Sequence, residues 1–193
     1  DVHVAGHSRG GYLTCRLTLE FPERVKSCII IDSNTGAPGQ GRNHIEFADT
    51  PKPYLSRASQ RWVLEGYSYN PKVVTEDWLD ELEEIAALPA CQAAVEAMED
   101  GGLNERLFLP SVGRGKAEMF DWLMDRGMGR PTLLMWGLND PTATLDQGFA
   151  YYEVLARKEP RTEMHVLNAS GHFTYREHPE AFNETLRGFI TSC

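Results

Sequence analysis

Three side chains in this 193-residue chain have the types and spacing that nucleophilic catalysis needs: Ser8, Asp140 and His172. A serine hydroxyl is a weak nucleophile at neutral pH, so it needs a histidine to take its proton. The histidine in turn needs an acid to fix its tautomer and stabilise the imidazolium. Ser8 is the centre of Gly6-His7-Ser8-Arg9-Gly10, a G-x-S-x-G pentapeptide. Asp140 closes Trp136-Gly137-Leu138-Asn139-Asp140, and His172 stands in Ser170-Gly171-His172-Phe173. The long first interval has room for a helical insertion, and the second for one helix and one strand.

These residues need elements that deliver them to one place. Val2–Ala5 is short and β-rich, the glycine-containing pentapeptide breaks it, and Tyr12–Phe21 carries apolar residues at helical spacing. Strand, sharp turn and helix are the context in which G-x-S-x-G acts as a nucleophile elbow. Small residues on either side of the serine let strand and helix pass closely, a demand assigned here to Gly6 and Gly10. Pro22-Glu23-Arg24 ends the helix, and Val25–Ile31 is an apolar run suited to a parallel strand covered on both faces. Asp140 and His172 each follow an apolar or alternating run, Thr132–Trp136 and Thr162–Leu167. Both therefore sit at the carboxyl ends of strands, where open α/β sheets bind their ligands. Helices are expected from about Thr144 to Lys158 and from Pro179 to Ile190.

Between Asp32 and Thr132 the alternation stops. A loop from Ser33 to Gly41 leads into helices expected from Thr75 (an N-cap) through Ile85, from Ala90 to Glu99 and from Lys116 to Met124. The acidic run 80–84 reads as a solvated helix face. The chain thus divides into core 1–33, a helical lid 34–129 and core 130–193.

The order Ser, Asp, His on successive strand ends resembles the α/β-hydrolase superfamily (AB hydrolase-1 type) over nearly the whole chain. A narrower likeness, to the meta-cleavage-product C–C hydrolases of aromatic degradation, rests on three stretches. These are Gly137-Leu138-Asn139-Asp140-Pro141, Gly171-His172-Phe173 with Glu177-His178, and Ala181-Phe182-Asn183. The resemblance implies an α/β-hydrolase fold, with a mostly parallel sheet, helices on both faces and the lid between the sixth and seventh strands. It implies hydrolysis of a carbon–carbon bond in a ring-cleavage dienoate, with Ser8, Asp140 and His172 as triad and no metal or organic cofactor. The backbone amide of Arg9 would donate to the oxyanion. Such hydrolases commonly carry methionine where Arg9 stands, and their lid arginine has no counterpart in 74–82. A carboxylesterase or lactonase acting on small apolar esters, and a non-catalytic ligand receptor of the same fold, stay open as alternatives. In the superfamily's strand order the elbow follows the fifth strand, so the chain reads as a fragment that begins there. Its second oxyanion donor would lie upstream, and the 193 residues alone are expected to be inactive.

The remaining candidates are weaker. The Arg9 guanidinium reads as solvent-facing or ion-paired, with an acidic substrate as the other option. His7 reads as a packing or hydrogen-bonding residue that points away from Ser8, His178 as the start of a helix, and His44 and His165 carry no partner pattern. Phe173, Trp62 and Trp78 are candidate pocket residues, and Trp122 in the insertion is considered with them.

Composition narrows the partners. Twenty-eight acidic against nineteen basic residues give a formal charge of −9, which argues against nucleic acid, because phosphate binding needs a basic face. No apolar run approaches the roughly 20 residues of a membrane helix. Cys15, Cys28, Cys91 and Cys193 are far apart, in no metal-ligand spacing, and read as buried free thiols. A small-molecule substrate and a cytoplasmic setting fit, with a homo-oligomer left open.

Overall fold

The computed structural model describes residues 1–39 and 49–193, so His44 and the end of the Ser33–Gly41 loop lie outside the described residues. Strand β1 (Val2–His7) leads through the serine turn into helix α1 (Arg9–Glu20), then β2 (Val25–Ile31). Helices α2 (Arg57–Tyr67), α3 (Glu76–Ala86), α4 (Pro89–Val95) and α5 (Leu109–Arg126) precede β3 (Thr132–Gly137). Helix α6 (Leu145–Ala156), β4 (Thr162–Leu167), the short α7 (Thr174–Glu177) and α8 (Pro179–Ser192) complete the chain.

The four strands form one parallel sheet in the order β1-β2-β3-β4, so each chemical residue leaves the sheet at the same edge. Register aligns Cys28 with Thr132 and Thr132 with Thr162. Alternation along the strands splits the core between the two faces. Cys28, Ile30, Leu134 and Trp136 pack with Tyr12, Cys15 and Leu19 of α1, Met119 and Leu123 of α5, and Tyr151 and Leu155 of α6. Ile29, Ile31, Leu133 and Met135 pack on the other face against Phe182 and Phe189 of α8. The apolar runs of β2 and β3 follow from this double cover. At the edge, β1 pairs among the described residues with β2 alone, and Val2, Leu13, Leu17 and Phe21 are exposed.

Several expectations change within the insertion. No helix was expected over Arg57–Tyr67, yet α2 forms there, and Ser56 caps it by accepting from the Ser59 amide at 3.2 Å. The helix expected over Ala90–Glu99 ends at Val95 and widens into a π-turn at Glu96–Asp100, closed by Gly101 N–H on the Glu96 carbonyl at 2.8 Å. Helix α5 begins at Leu109 rather than Lys116, running on from a π-helical turn at Asn104–Phe108, while Gly113 and Gly115 hide its first turns from a propensity reading. Thr75 caps α3 as expected, accepting from the Trp78 amide at 3.3 Å. The acidic run of α3 is more than a solvated face. Arg57 of α2 binds Asp80 at 2.6 Å, Glu76 at 2.6 Å and also Glu83, fastening the two helices together. The cysteines are free, but only Cys15 and Cys28 are buried; Cys91 is half-buried and Cys193 exposed.

The elbow needs one of its two flanking glycines for space. A Cβ at Gly6 would lie 2.1 Å from the Gly10 carbonyl oxygen and 2.4 Å from Thr14 Oγ1, whereas a Cβ at Gly10 meets nothing within 4 Å. The close approach assigned to both therefore belongs to Gly6. Gly6→Ala is expected to destabilise by about 3 kcal/mol or more, since backbone cannot yield as a flexible side chain can. Gly10→Ala, in the first turn of α1, is expected to change stability by less than about 1 kcal/mol. Urea unfolding midpoints of the two variants against wild type check the contrast, and equal losses would contradict it.

Candidate active site

Ser8 occupies the turn between β1 and α1 with φ 55° and ψ −123°, a left-handed conformation that costs energy for any residue with a Cβ. The turn is held by the Ser8 amide donating to the Ile31 carbonyl at 2.9 Å and the Gly11 amide donating to the Ser8 carbonyl at 3.0 Å. Strain of this kind at the end of a strand aims a side chain away from the sheet, as a nucleophile requires.

Asp140 and His172 meet. His172 Nδ1 lies 2.6 Å from Asp140 Oδ2, and both side chains are almost wholly buried. Because a carboxylate oxygen accepts, Nδ1 carries the hydrogen and Nε2 is left as the acceptor for a hydroxyl proton. The other oxygen of Asp140 takes three donors: Thr142 N–H at 2.8 Å, Thr142 Oγ1 at 3.0 Å and Ala143 N–H at 2.9 Å. A buried carboxylate so surrounded keeps its orientation.

Backbone contacts lock the turns that carry this pair. A Cβ at Gly137 would fall 2.2 Å from the Gly171 carbonyl oxygen, and one at Gly171 would fall 2.4 Å from the Tyr67 carbonyl oxygen. The acid turn, the histidine turn and the end of α2 are therefore stacked backbone on backbone. His172 N–H donates to the Tyr67 carbonyl at 2.8 Å. Glu177 accepts from the Asn70 amide at 2.8 Å and also from the Gly171 amide, tying the histidine turn to the segment after α2.

Residues with no motif complete the setting. Asp32, at the end of β2 with φ 44°, is fully buried; it accepts from Gly137 N–H at 2.7 Å and Thr174 Oγ1 at 2.8 Å. One carboxyl thus holds the root of the acid turn and the residue two beyond His172. Burial first, and then the neighbouring Asp140, pushes its pKa well above the usual carboxylate value, against the donors from Gly137 and Thr174. Tyr67 sets its ring edge-on to His172 at 5.0 Å, and burial followed by the Asp140 charge raises its pKa to about 12, so the phenol stays protonated. The only sequence hint to Asp32 was its place at the end of an apolar strand; Tyr67 offered none.

His7 is a packing and hydrogen-bonding residue, as expected. Its Nε2–H donates to the His172 carbonyl at 2.6 Å and its ring lies 4.6 Å from that of His172. Phe173 is buried among His7, Tyr67, His172 and Trp78. Trp78 reaches it from α3 at 5.3 Å, with the Arg176 guanidinium 3.7 Å over the Trp78 ring. Trp62 is half-buried in α2. Trp122 packs between Arg16 and Arg126 against the core. His178 stands at the start of α8 and bonds the Ala169 carbonyl at 2.9 Å; His165 lies 3.5 Å from Glu163 on exposed β4. Arg9 lies 4.9 Å over the Phe108 ring and is exposed, and among the described residues no carboxylate lies within ion-pair distance of it. Of the two expected states the solvent-facing one holds and the ion-paired one does not.

A serine on a strained strand-to-helix turn, with a buried acid–histidine pair at the ends of later parallel strands, defines the α/β-hydrolase class. The sequence profile of the Alpha/beta hydrolase family matches residues 1–185, and the chain belongs to that family. The chain is 24% identical, over 98% of its length, to a 2-hydroxy-6-oxononadienedioate/2-hydroxy-6-oxononatrienedioate hydrolase of Cupriavidus pinatubonensis. It is 26% identical, over 97%, to the protein of the same name in Paraburkholderia phymatum. In both cases it spans 62% of the relative's length. Among solved structures it superposes with a TM-score of 0.76 on a variant of the meta-cleavage product hydrolase CumD (20% identity, all of this chain, 66% of that one). It superposes at 0.72 on a 2-hydroxy-6-oxo-6-phenylhexa-2,4-dienoate hydrolase of Rhodococcus (21% identity, 99% and 64%). Among the described residues no helix is long and apolar enough to cross a membrane.

Two measurements probe this scaffold. Removing the Asp32 carboxylate in Asp32→Ala leaves buried donors at Gly137 and Thr174 without partners, and is expected to cost about 1–3 kcal/mol in urea unfolding. A loss under about 0.5 kcal/mol would mean that the two turns hold without it. His7 is held to about 4, chiefly by burial and then by the nearby His172. Its unfolded value is about 6.5. Between these values the unfolded chain binds the extra proton, so the contribution of His7 is complete above about pH 6.5 and shrinks as pH falls toward 4. Stability measured at pH 7 and 5 should fall less for His7→Gln than for wild type, and parallel falls would contradict the assignment.

Proposed function

We propose that the chain forms the catalytic core of a serine hydrolase in which Ser8 attacks or activates the attacking group, His172 moves its proton and Asp140 orients and stabilises the imidazolium. One observation carries the reading: a buried His172–Asp140 hydrogen bond of 2.6 Å that leaves Nε2 as the acceptor, in a fold whose serine sits on a strained elbow. In this scheme the Ser8 proton passes to Nε2 as the oxygen adds to a carbonyl. The backbone N–H of Arg9 donates to the oxygen as it gains charge. His172 then returns the proton to the leaving group, and a water that gives its proton to the same Nε2 adds to the acyl carbon and releases it from Ser8.

The finer reading is hydrolysis of a carbon–carbon bond in a ring-cleavage dienoate, supported by the names of the relatives and structural neighbours. In such a substrate the leaving carbon departs as a conjugated carbanion, which His172 protonates. The insertion, residues 34–129, acts as the lid over core segments 1–33 and 130–193. Phe173 and Trp78 are proposed pocket residues on their edge-to-face contact beside His172, although the cavity next to the elbow is lined by neither. Trp62 has no such contact among the described residues.

Steady-state turnover by the intact protein tests this, with a ring-cleavage dienoate and a short-chain nitrophenyl ester compared for wild type and Ser8→Ala. The expected result is turnover of the dienoate that falls about 10³-fold or more in Ser8→Ala. Ser8-dependent turnover of the ester alone would move the protein to the esterases. Turnover indifferent to Ser8 would overturn the triad.

A further inference from the structure

Three features meet at Tyr67, the last residue of α2. Its carbonyl accepts the His172 amide at 2.8 Å, and a Cβ at Gly171 would fall 2.4 Å from the same oxygen. Its ring stands edge-on to the His172 ring, with centroids 5.0 Å apart. It also borders a cavity of about 630 Å³ next to the elbow, a size that suits a small organic ligand, with Arg9, Val63, Leu64 and Leu82 in the same wall. Helix α2 is closed at this point by Ser68, whose Oγ donates to the Leu64 carbonyl at 2.8 Å. Backbone contacts therefore set where Tyr67 stands relative to the catalytic base.

The phenol is a neutral donor beside that base. Burial, followed by the Asp140 charge, raises its pKa to about 12 against the influence of Arg9. It thus keeps its proton at every pH at which an imidazole cycles. Asp140 stands behind His172 and Arg9 follows Ser8, so the phenol lies within electrostatic reach of both the base's partner and the elbow. In the proposed reaction negative charge develops on two sides of the acyl carbon. The carbonyl oxygen turns to the Arg9 amide, whereas the leaving group turns to His172, because the Nε2 that took the Ser8 proton delivers it there. A donor fastened to His172 by main chain and ring belongs to the leaving-group side. A fixed O–H in a largely apolar wall is worth most to charge that is present only in the transition state.

We infer that Tyr67 is a further catalytic residue, whose phenol donates a hydrogen bond to the leaving group as that group takes up the electron pair of the breaking bond. The inference rests on the serine-hydrolase reading and deepens it. When the tetrahedral adduct on Ser8 collapses, the bond from the acyl carbon to the leaving atom breaks and its electron pair passes to the leaving group. His172 delivers its Nε2 proton there, and Tyr67 keeps its own, so no co-reactant is needed. The Tyr67 ring packs on His172 with or without its hydroxyl, and Tyr67→Phe therefore separates packing from catalysis.

The test compares the intact protein with its Tyr67→Phe variant on ethyl butanoate and 4-nitrophenyl butanoate, which form the same acyl-enzyme and differ only in the group expelled. Nitrophenolate departs as a stable anion and ethoxide does not, so collapse of the adduct governs kcat/KM for the ethyl ester. In Tyr67→Phe that value is expected to fall on the order of a hundredfold for the ethyl ester but only severalfold for the nitrophenyl ester, changing their ratio by roughly tenfold or more. A partly unfolded variant lowers both values by one factor, which cancels in the ratio. Equal losses on the two esters, as lost packing alone would give, or no loss on either, would overturn the inference and leave the role of Ser8 intact. Wild type inert toward both esters would overturn it too, and would reach the hydrolase reading only if the ring-cleavage dienoate were also untouched.

Discussion

Burying a carboxylate beside an imidazole takes both out of water, a cost met only where every remaining lone pair finds a donor. Asp140 meets this condition: one oxygen faces His172 and the other receives two backbone amides and a hydroxyl from the turn that follows. The turn 140–143 can therefore adopt only the shape that presents those donors. With Asp140 fixed, the imidazole has one tautomer and one direction.

The sheet brings these turns within reach of one another. Parallel strands carry all their carboxyl ends to one edge, and β2 lies between the serine strand and the acid strand. Asp32 exploits that position, binding the root of the acid turn with one oxygen and the histidine turn with the other. A second buried carboxyl so near Asp140 is electrostatically costly, as the upward displacement of its pKa records. The donors from Gly137 and Thr174 offset part of that cost. The site thus rests on two buried carboxyls with different duties, one turned to the base and one to the backbone.

The helical insertion is coupled to the base through main chain as well as side chains. The Tyr67 carbonyl receives the His172 amide, and Gly171 packs so closely on residues 67–69 that no side chain fits. Glu177 and the Trp78–Phe173 contact reinforce the junction. The end of α2 is therefore also part of what positions the histidine.

Much of this was legible in the residues themselves. The elbow, the four strands, the order of Ser8, Asp140 and His172, and the cap at Thr75 depend on local geometry and short-range periodicity, which a sequence records directly. Helix α2 was missed although Ser56 caps it, the start of α5 was obscured by Gly113 and Gly115, and the π-turn after α4 depends on a backbone bond that has no side-chain signature. Asp32, Tyr67, Glu177 and the Arg57 cluster owe their roles to partners dozens of residues away, and a single sequence does not encode such distances in any local pattern. Which flanking glycine the elbow requires was likewise a tertiary matter, decided by where the Gly10 carbonyl lies. Sequence determined the chemical groups and their order along the chain. Tertiary structure decided which of them meet, because burial and hydrogen-bond completion act between elements that only the folded sheet brings together.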